Sequence, residues 1–182
     1  MAINLKQTDM TKGIRNNNPL NIRRSADRWE GMREQQTDES FVQFKTMAYG
    51  YRAAWKILES YWKYFHQTRQ SYNVKNIVAR WAPPVENDTK NYIHTVLRLT
   101  SLGGNEHLPQ PSRGVDTERL MKLLAAMTTM ECGVPYKEVD MQAICEGYEL
   151  AFPGKRSYAR TQPPADYGLA EDVLIWDEYR DW

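Results

Sequence analysis

The stretch L-M-K-L-L-A-A-M-T-T-M-E-C-G, residues 120–133, decides how the chain is read. Leu120, Leu124 and Met127 recur at helical spacing, and four residues past Met127 the same face is occupied by Glu131. An acid that closes an apolar stripe is partly desolvated, the setting in which a carboxyl group serves as a general acid at neutral pH. The alternative is a glutamate at a helix end whose carboxylate bends into solvent. Against a purely structural role, a carboxylate opposes the negative end of the helix dipole. Asp116 or Thr117 begins this helix, and Gly133 and Pro135 close it.

The same periodicity continues outward from that helix. Residues 48–66 place Ala54, Ile57, Leu58, Tyr61, Trp62 and Phe65 on one stripe. Val74, Ile77, Val78 and Trp81 mark a shorter helix that Pro83 and Pro84 end. Asn87, Asp88 or Thr89 caps the next, which holds Tyr92, Ile93, Val96 and Leu97 and stops near Gly103-Gly104. A Pro/Gly linker at 105–115 leads to the helix ending at Glu131, and a last helix around 138–151 packs Met141, Ile144, Cys145 and Tyr148. S-F-V-Q-F (40–44) alternates enough for a short strand or hairpin arm. The expected fold is mainly α, a helical domain with a small β-hairpin or loop lobe. It is expected to comprise an N-terminal extension at 1–12, a domain at 13–152 and a C-terminal tail at 153–182. The tail has no period, and its last segment, I-W-D-E-Y-R-D-W, carries aromatics able to dock.

Composition narrows the function classes. A chain of 182 residues suits one domain with a real core, and 41% hydrophobic and 12% aromatic residues mark it as globular. With 24 Lys+Arg against 23 Asp+Glu, bulk electrostatic binding to nucleic acid or to an anionic membrane is not expected. Cys132 and Cys145 cannot make a disulfide framework or a metal site of the usual spacing, and they suggest a reducing compartment. No apolar run reaches membrane-spanning length, and M-A-I-N-L-K-Q-T-D-M lacks the apolar middle of a signal peptide. The expectation is a protein made in the bacterial cytoplasm, with no membrane insertion, that is released or carried to its place of action.

Among catalytic chemistries, most are excluded by what the motifs lack. His66, His94 and His107 show no metal-ligand spacing, and there is no phosphate-binding loop, dinucleotide fingerprint or zinc-protease motif. Neither a cofactor nor a metal is expected, which leaves carboxylates for acid–base work. Besides Glu131, Glu86 stands out in R-W-A-P-P-V-E-N-D-T-K-N-Y-I (80–93). There Trp81 offers a flat face for a sugar ring, the prolines stiffen the loop, and Glu86 with Asn87 supplies an acid and an amide. The alternative is an ordinary helix N-terminus, with Glu86 at the positive dipole end. Glu30, Glu34, Asp38 and Glu39 are weaker candidates, better read as solvated charges. The run I-R-N-N-N-P-L-N-I-R-R (14–24) is too polar and turn-prone for a core element. Its amides suit a sugar, a phosphate or the loop's own backbone.

These motifs carry a resemblance. G-I-R-N-N-N-P-L-N-I-R-R (13–24), W-E-G (29–31), F-V-Q-F (41–44), Y-G-Y-R-A (49–53) and R-W-A-P-P-V-E-N-D-T-K-N-Y-I together resemble a phage and prophage protein family. Its members are described as virion structural proteins or endolysins, and the match covers roughly residues 13–151. The same pieces resemble, in shuffled order, the glucosaminidase and lytic transglycosylase branch of the lysozyme-like superfamily. There a helix ends in E-S-G with the glutamate as acid, followed by a loop like N-N-L-F-G-I. An F-x-x-Y/F element comes next, and a later tyrosine faces the cleft. Here M-E-C-G (130–133) stands for the acid-bearing helix end, N-N-P-L-N-I (17–22) for the loop, F-V-Q-F for the next element and Tyr92 for the cleft tyrosine.

The departure is one of order, because the acid-bearing helix comes last. The resemblance therefore implies a circularly permuted lysozyme-like domain, in which residues 116–131 must pack beside 13–24. Termini of compact domains lie close enough to permit this. The implied activity is cleavage of peptidoglycan glycan strands, as a muramidase, glucosaminidase or lytic transglycosylase acting in phage lysis or infection. Glu131 would protonate the leaving oxygen and Glu86 would be the second carboxylate. Asn17, Asn18, Asn21, Trp81, Asn87 and Tyr92 would hold N-acetyl groups and ring faces. The competing reading is a non-catalytic virion or assembly protein that keeps the fold and docks on other phage subunits.

Overall fold

Helix signals in the chain translate into α1 (Lys12–Arg15), α2 (Met47–Gln67), α3 (Val74–Trp81), α4 (Thr89–Thr100), α5 (Thr117–Cys132) and α6 (Met141–Ala151). Single 3-10 turns lie at Pro111–Arg113 and Tyr136–Glu138. The computed structural model describes residues 10–155; most of the expected N-terminal extension and C-terminal tail lies outside the described residues. Four helices start on a side chain that accepts a backbone N–H. Thr46 accepts from Tyr49, Asn73 from Asn76, Asp88 from Asn91 and Asp140 from Ala143. Asp88 is thus the cap among the three candidates before α4. That helix ends at Thr100 with Ser101 left-handed, slightly before the expected Gly103-Gly104 stop.

The 120–133 stretch proves more buried than one stripe implies. Leu120, Met121, Leu123, Leu124, Ala125, Ala126 and Met127 are all inaccessible to solvent, so α5 is apolar around most of its circumference and runs through the core, with the Glu118–Lys122 pair on its outer edge. It packs against α4 and α6, α4 packs on α3, and α2 lies along α6. Tyr51 of α2 meets Thr128 of α5 at 3.0 Å. The Thr128 hydroxyl already donates to the Leu124 carbonyl, so Tyr51 is the donor. Trp55 donates its indole N–H to the Ile144 carbonyl at 3.0 Å, and Tyr148 meets the Trp55 ring edge-on at 5.0 Å.

The α2–α6 approach depends on Gly147. A Cβ there would sit 2.7 Å from the Tyr51 Cβ, 2.8 Å from the Ala48 carbonyl oxygen and 2.9 Å from the Arg52 nitrogen. These are backbone or stem atoms that cannot swing away. Gly147→Ala is expected to push the helices apart and cost about 1–3 kcal/mol as overpacking, read as a lowered denaturation midpoint.

Between α1 and α2 the chain forms a lobe without regular strands. The hairpin expected at 40–44 is not formed; the segment contributes only isolated bridges, Arg23 to Phe41 and Met32 to Phe44. Scattered backbone bonds such as Arg24 N–H to the Ser40 carbonyl and Val42 N–H to the Ile22 carbonyl are supplemented by side-chain amides. Gln43 donates to Asn16 Oδ1 at 3.1 Å and accepts from Thr37 and Asp38 backbone N–H groups at 2.6 and 3.2 Å. Gln36 in turn accepts from the Gln43 N–H at 2.7 Å and donates to the Gln43 carbonyl at 2.7 Å. The Arg33 guanidinium reaches the carbonyls of Phe44 and Arg15 at 3.0 and 2.9 Å. The run 14–24 is therefore less solvated than its composition suggests, with Asn16, Asn18, Leu20 and Ile22 buried.

Asp38 closes this network. The Asn16 amide, 2.9 Å from its Oδ2, is the main cause that brings the carboxyl from an ordinary 3.8 down to about 2. The N–H groups of Ser40 and Phe41 and the Lys12 ammonium at 3.5 Å act in the same direction, against partial desolvation. A depressed pKa stabilises the fold above the unfolded value and ceases to do so as pH falls through the folded one. Melting temperature is expected to decline between about pH 4 and pH 2, and Asp38→Asn should flatten that part of the profile.

Candidate active site

The end of α5 and the loop 18–22 are joined at Glu131. The last carbonyls of a helix lack intrahelical donors. Asn21, left-handed at φ 49°, supplies one: its amide donates to the Glu131 carbonyl at 3.0 Å and to the Glu131 carboxylate Oε2 at 3.2 Å. Asparagine tolerates that backbone region better than most residues. One residue on, the Cys132 thiol donates to the Pro19 carbonyl at 3.2 Å. Burial pushes this thiol up to about 11, with the Glu131 charge adding and the Thr11 side chain opposing, so it stays a protonated donor. Gly13 allows the close approach. A Cβ there would collide with Cys132 Sγ and lie 2.8 Å from Asn21 Oδ1.

Two more elements deliver donors to the same carboxylate. Trp81, the last residue of α3, donates its indole N–H to Oε1 at 3.1 Å. Tyr92, one turn into α4, donates its hydroxyl to Oε1, also at 3.1 Å. Burial, then the Glu131 charge and hydrogen bond, raise the Tyr92 phenol well above its ordinary value, so it remains a donor at any working pH. Of the roughly four lone-pair positions on a carboxylate, three are filled and one on Oε2 is left. Glu131 is half-buried and does not bend freely into solvent.

Glu131 lines a cleft of about 350 Å³, within the size range of ligand sites. Asn21, Trp81, Glu86 and Asn87 line it too, so the structure gathers both acids and three of the amide and aromatic candidates in one place. Tyr92 joins them through Glu131. Asn17 and Asn18 take a different role. Asn17 is left-handed at φ 51° and donates to the Phe44 and Lys45 carbonyls, both at 3.1 Å. Asn18 is fully buried, donates to the Ile22 and Val42 carbonyls at 2.9 Å and accepts from the Ile22 N–H at 2.8 Å. Their amide N–H groups serve the lobe's backbone, and neither residue lines the cleft. Asn87 donates to the Pro83 carbonyl at 3.2 Å and keeps its oxygen free of that bond.

Glu30, Glu34, Asp38 and Glu39 do not line this cleft. Glu30 is paired with Arg52. Glu34 borders a second hollow of about 600 Å³ under the lobe, with Arg24, Arg28 and Trp29. The larger hollow contains none of the donors that converge on Glu131; these belong to the smaller cleft. Its walls include Arg23, Phe41, Ile57 and Tyr61, which the sequence had placed in a polar loop, a hairpin and a core stripe. Ile57 and Tyr61 lie four apart on α2, at the half-buried border of that stripe, which is the one signal that could have flagged them. Among the described residues, no group of three His, Cys, Asp or Glu is placed to hold a metal, and no helix is long and apolar enough to cross a membrane.

No protein-family model matches the chain. Over 151 residues it is 37% identical to Protein P5 of Pseudoalteromonas phage PM2, a match spanning 80% of this chain and 85% of that protein. The chain belongs to the P5 family of phage proteins. The phage membership expected from the asparagine and proline motifs is thereby established. For this P5 relative, the cleft around Glu131 is the candidate site.

Proposed function

We propose that this P5 relative cleaves the glycan strands of peptidoglycan, with Glu131 as the acid. The observation that carries the reading is one half-buried carboxylate, fixed by Asn21, Trp81 and Tyr92 from three separate elements, in the wall of a ligand-sized cleft. Packing of the 13–24 segment against the end of α5 is also what a circularly permuted lysozyme-like domain requires, and it supports that reading of the fold.

The arrangement suits general acid catalysis. Oε1 already accepts two hydrogen bonds, so the transferable proton belongs on the remaining position of Oε2. Passing it to the glycosidic oxygen lets the bond to the anomeric carbon break, leaving an oxocarbenium-like centre. In hydrolysis a water attacks that centre and a second carboxylate takes its proton. In transglycosylation a hydroxyl of the same sugar attacks, its proton returns to Glu131, and an anhydro end forms. Glu86 is the second carboxylate on the cleft. It is exposed, and its side chain has no hydrogen-bond partner among the described residues. An unanchored base favours the single-carboxylate route.

Purified protein incubated with peptidoglycan should release soluble fragments, and mass spectrometry of their ends reads the route. Glu86→Gln is expected to lower release by less than about tenfold and to leave anhydro ends. A drop of a hundredfold or more, with reducing ends in wild type, would make Glu86 the base of a hydrolase. The second reading is a non-catalytic virion protein, because the same three hydrogen bonds also tie the loop, α3 and α4 to α5. Absence of release by wild type from several wall types would favour it.

A further inference from the structure

Two arginines beside the cleft are held by aromatic rings. Arg23 lines the cleft, and its guanidinium lies 5.7 Å from the ring centre of Phe41, another wall residue. Arg80, exposed near the end of α3, lies 5.0 Å over Tyr61, also in the wall, and 3.9 Å over Tyr64. Neither guanidinium makes a hydrogen bond or ion pair to another described residue. Lys12, 5.5 Å from the same Phe41 ring, is by contrast paired with Asp38. An aromatic face steadies a guanidinium without occupying its N–H groups, which stay free to grip a planar carboxylate in bidentate fashion.

We propose that Arg23 and Arg80 bind carboxylates carried by the glycan, so that the cleft selects an anionic, carboxylate-bearing glycan over a neutral one. The inference rests on the glycan-cleaving reading of the cleft. Glu131 and Glu86 would otherwise repel such a ligand, and Arg23 in the wall with Arg80 over the wall residue Tyr61 offsets them. In peptidoglycan the carboxylate has two sources, the lactyl group of the sugar and the peptide stem.

Three ligands separate these possibilities: a neutral N-acetylglucosamine oligomer, glycan strands stripped of peptides, and strands bearing their stems. Binding is measured by calorimetry in Glu131→Gln full-length protein, with the ranking repeated as inhibition of wall digestion by wild type. Anionic strands are expected to bind roughly ten- to hundredfold more tightly than the neutral oligomer, a preference that shrinks as salt rises. Preference for both anionic ligands assigns the lactyl carboxylate; preference for stem-bearing strands alone assigns the stem. Arg23→Gln with Arg80→Gln should remove most of the preference, and the double lysine variant should retain much of it. Equal affinity for all three ligands, or a preference that survives the glutamine pair, overturns the inference while leaving the glycan reading standing. Failure of the Glu131→Gln protein to bind any of the three, with no inhibition of wild type by them, overturns both.

Discussion

Glu131→Gln is expected to lower glycan release by about a hundred- to ten-thousandfold, the usual contribution of a positioned general acid. The amide has nearly the size of the carboxyl but no proton to transfer. Its oxygen can still accept from Trp81 and Tyr92. Its NH2 group then faces the Asn21 amide, so one hydrogen bond is lost. That costs about 1–2 kcal/mol, a fall of a few degrees in melting temperature. Glu131→Ala leaves both the indole N–H and the phenol hydroxyl without this acceptor, and it should melt lower than the glutamine variant. Catalysis and stability thus separate: the glutamine variant loses the first and keeps most of the second. Full activity in Glu131→Gln sinks the assignment of the acid. Equal collapse of both variants on heating would show a structural post.

The largest effect on stability is expected at Asn18. Its side chain is fully buried and engages the Ile22 N–H and the Ile22 and Val42 carbonyls. Asn18→Ala leaves the Ile22 N–H and the Val42 carbonyl unpaired away from water, while the Ile22 carbonyl keeps the Val42 N–H at 3.0 Å. At roughly 1–3 kcal/mol for a buried unsatisfied group, the total loss should be about 3 kcal/mol or more, near 10 °C in melting temperature. Asn18→Asp keeps the acceptor for Ile22 but loses both donors, and it should fall almost as far. Asn87→Ala, on the exposed cleft rim, should be nearly silent in the same assay. A melting curve for Asn18→Ala that overlays wild type would mean that the lobe is held by something other than this amide.

The helices were readable in the sequence because burial on one face repeats with the helical period. Val74, Ile77, Val78 and the α4 residues Tyr92 and Val96 fall where their spacing puts them. The central place of α5 was only half readable. Its stripe was visible, but how far burial extends around the helix beyond that stripe depends on what surrounds it. The lobe was not readable as such. Asn18, Gln36 and Gln43 bind backbone and Asn16 binds the Gln43 side chain, across gaps of several to nearly thirty residues, and amide bonds of that kind have no period. Of the site, Glu131 announced itself as an acid closing an apolar run. Trp81 and Tyr92 were found for a different reason from the one the structure gives, since each donates to Glu131. Asn17 and Asn21 are asparagines partly because both positions are left-handed. Arg23 and Tyr61 gained meaning only when distant segments met.

The bond from Asn21 to Glu131 bridges 110 positions of the chain. Closing so long a span is expected to come late in folding, after local helices have formed. The acid therefore meets its three donors only when nearly the whole domain is in place. On the glycan-cleaving reading, a partly folded chain would carry every side chain of the cleft without assembling it, and activity would be tied to completion of the fold.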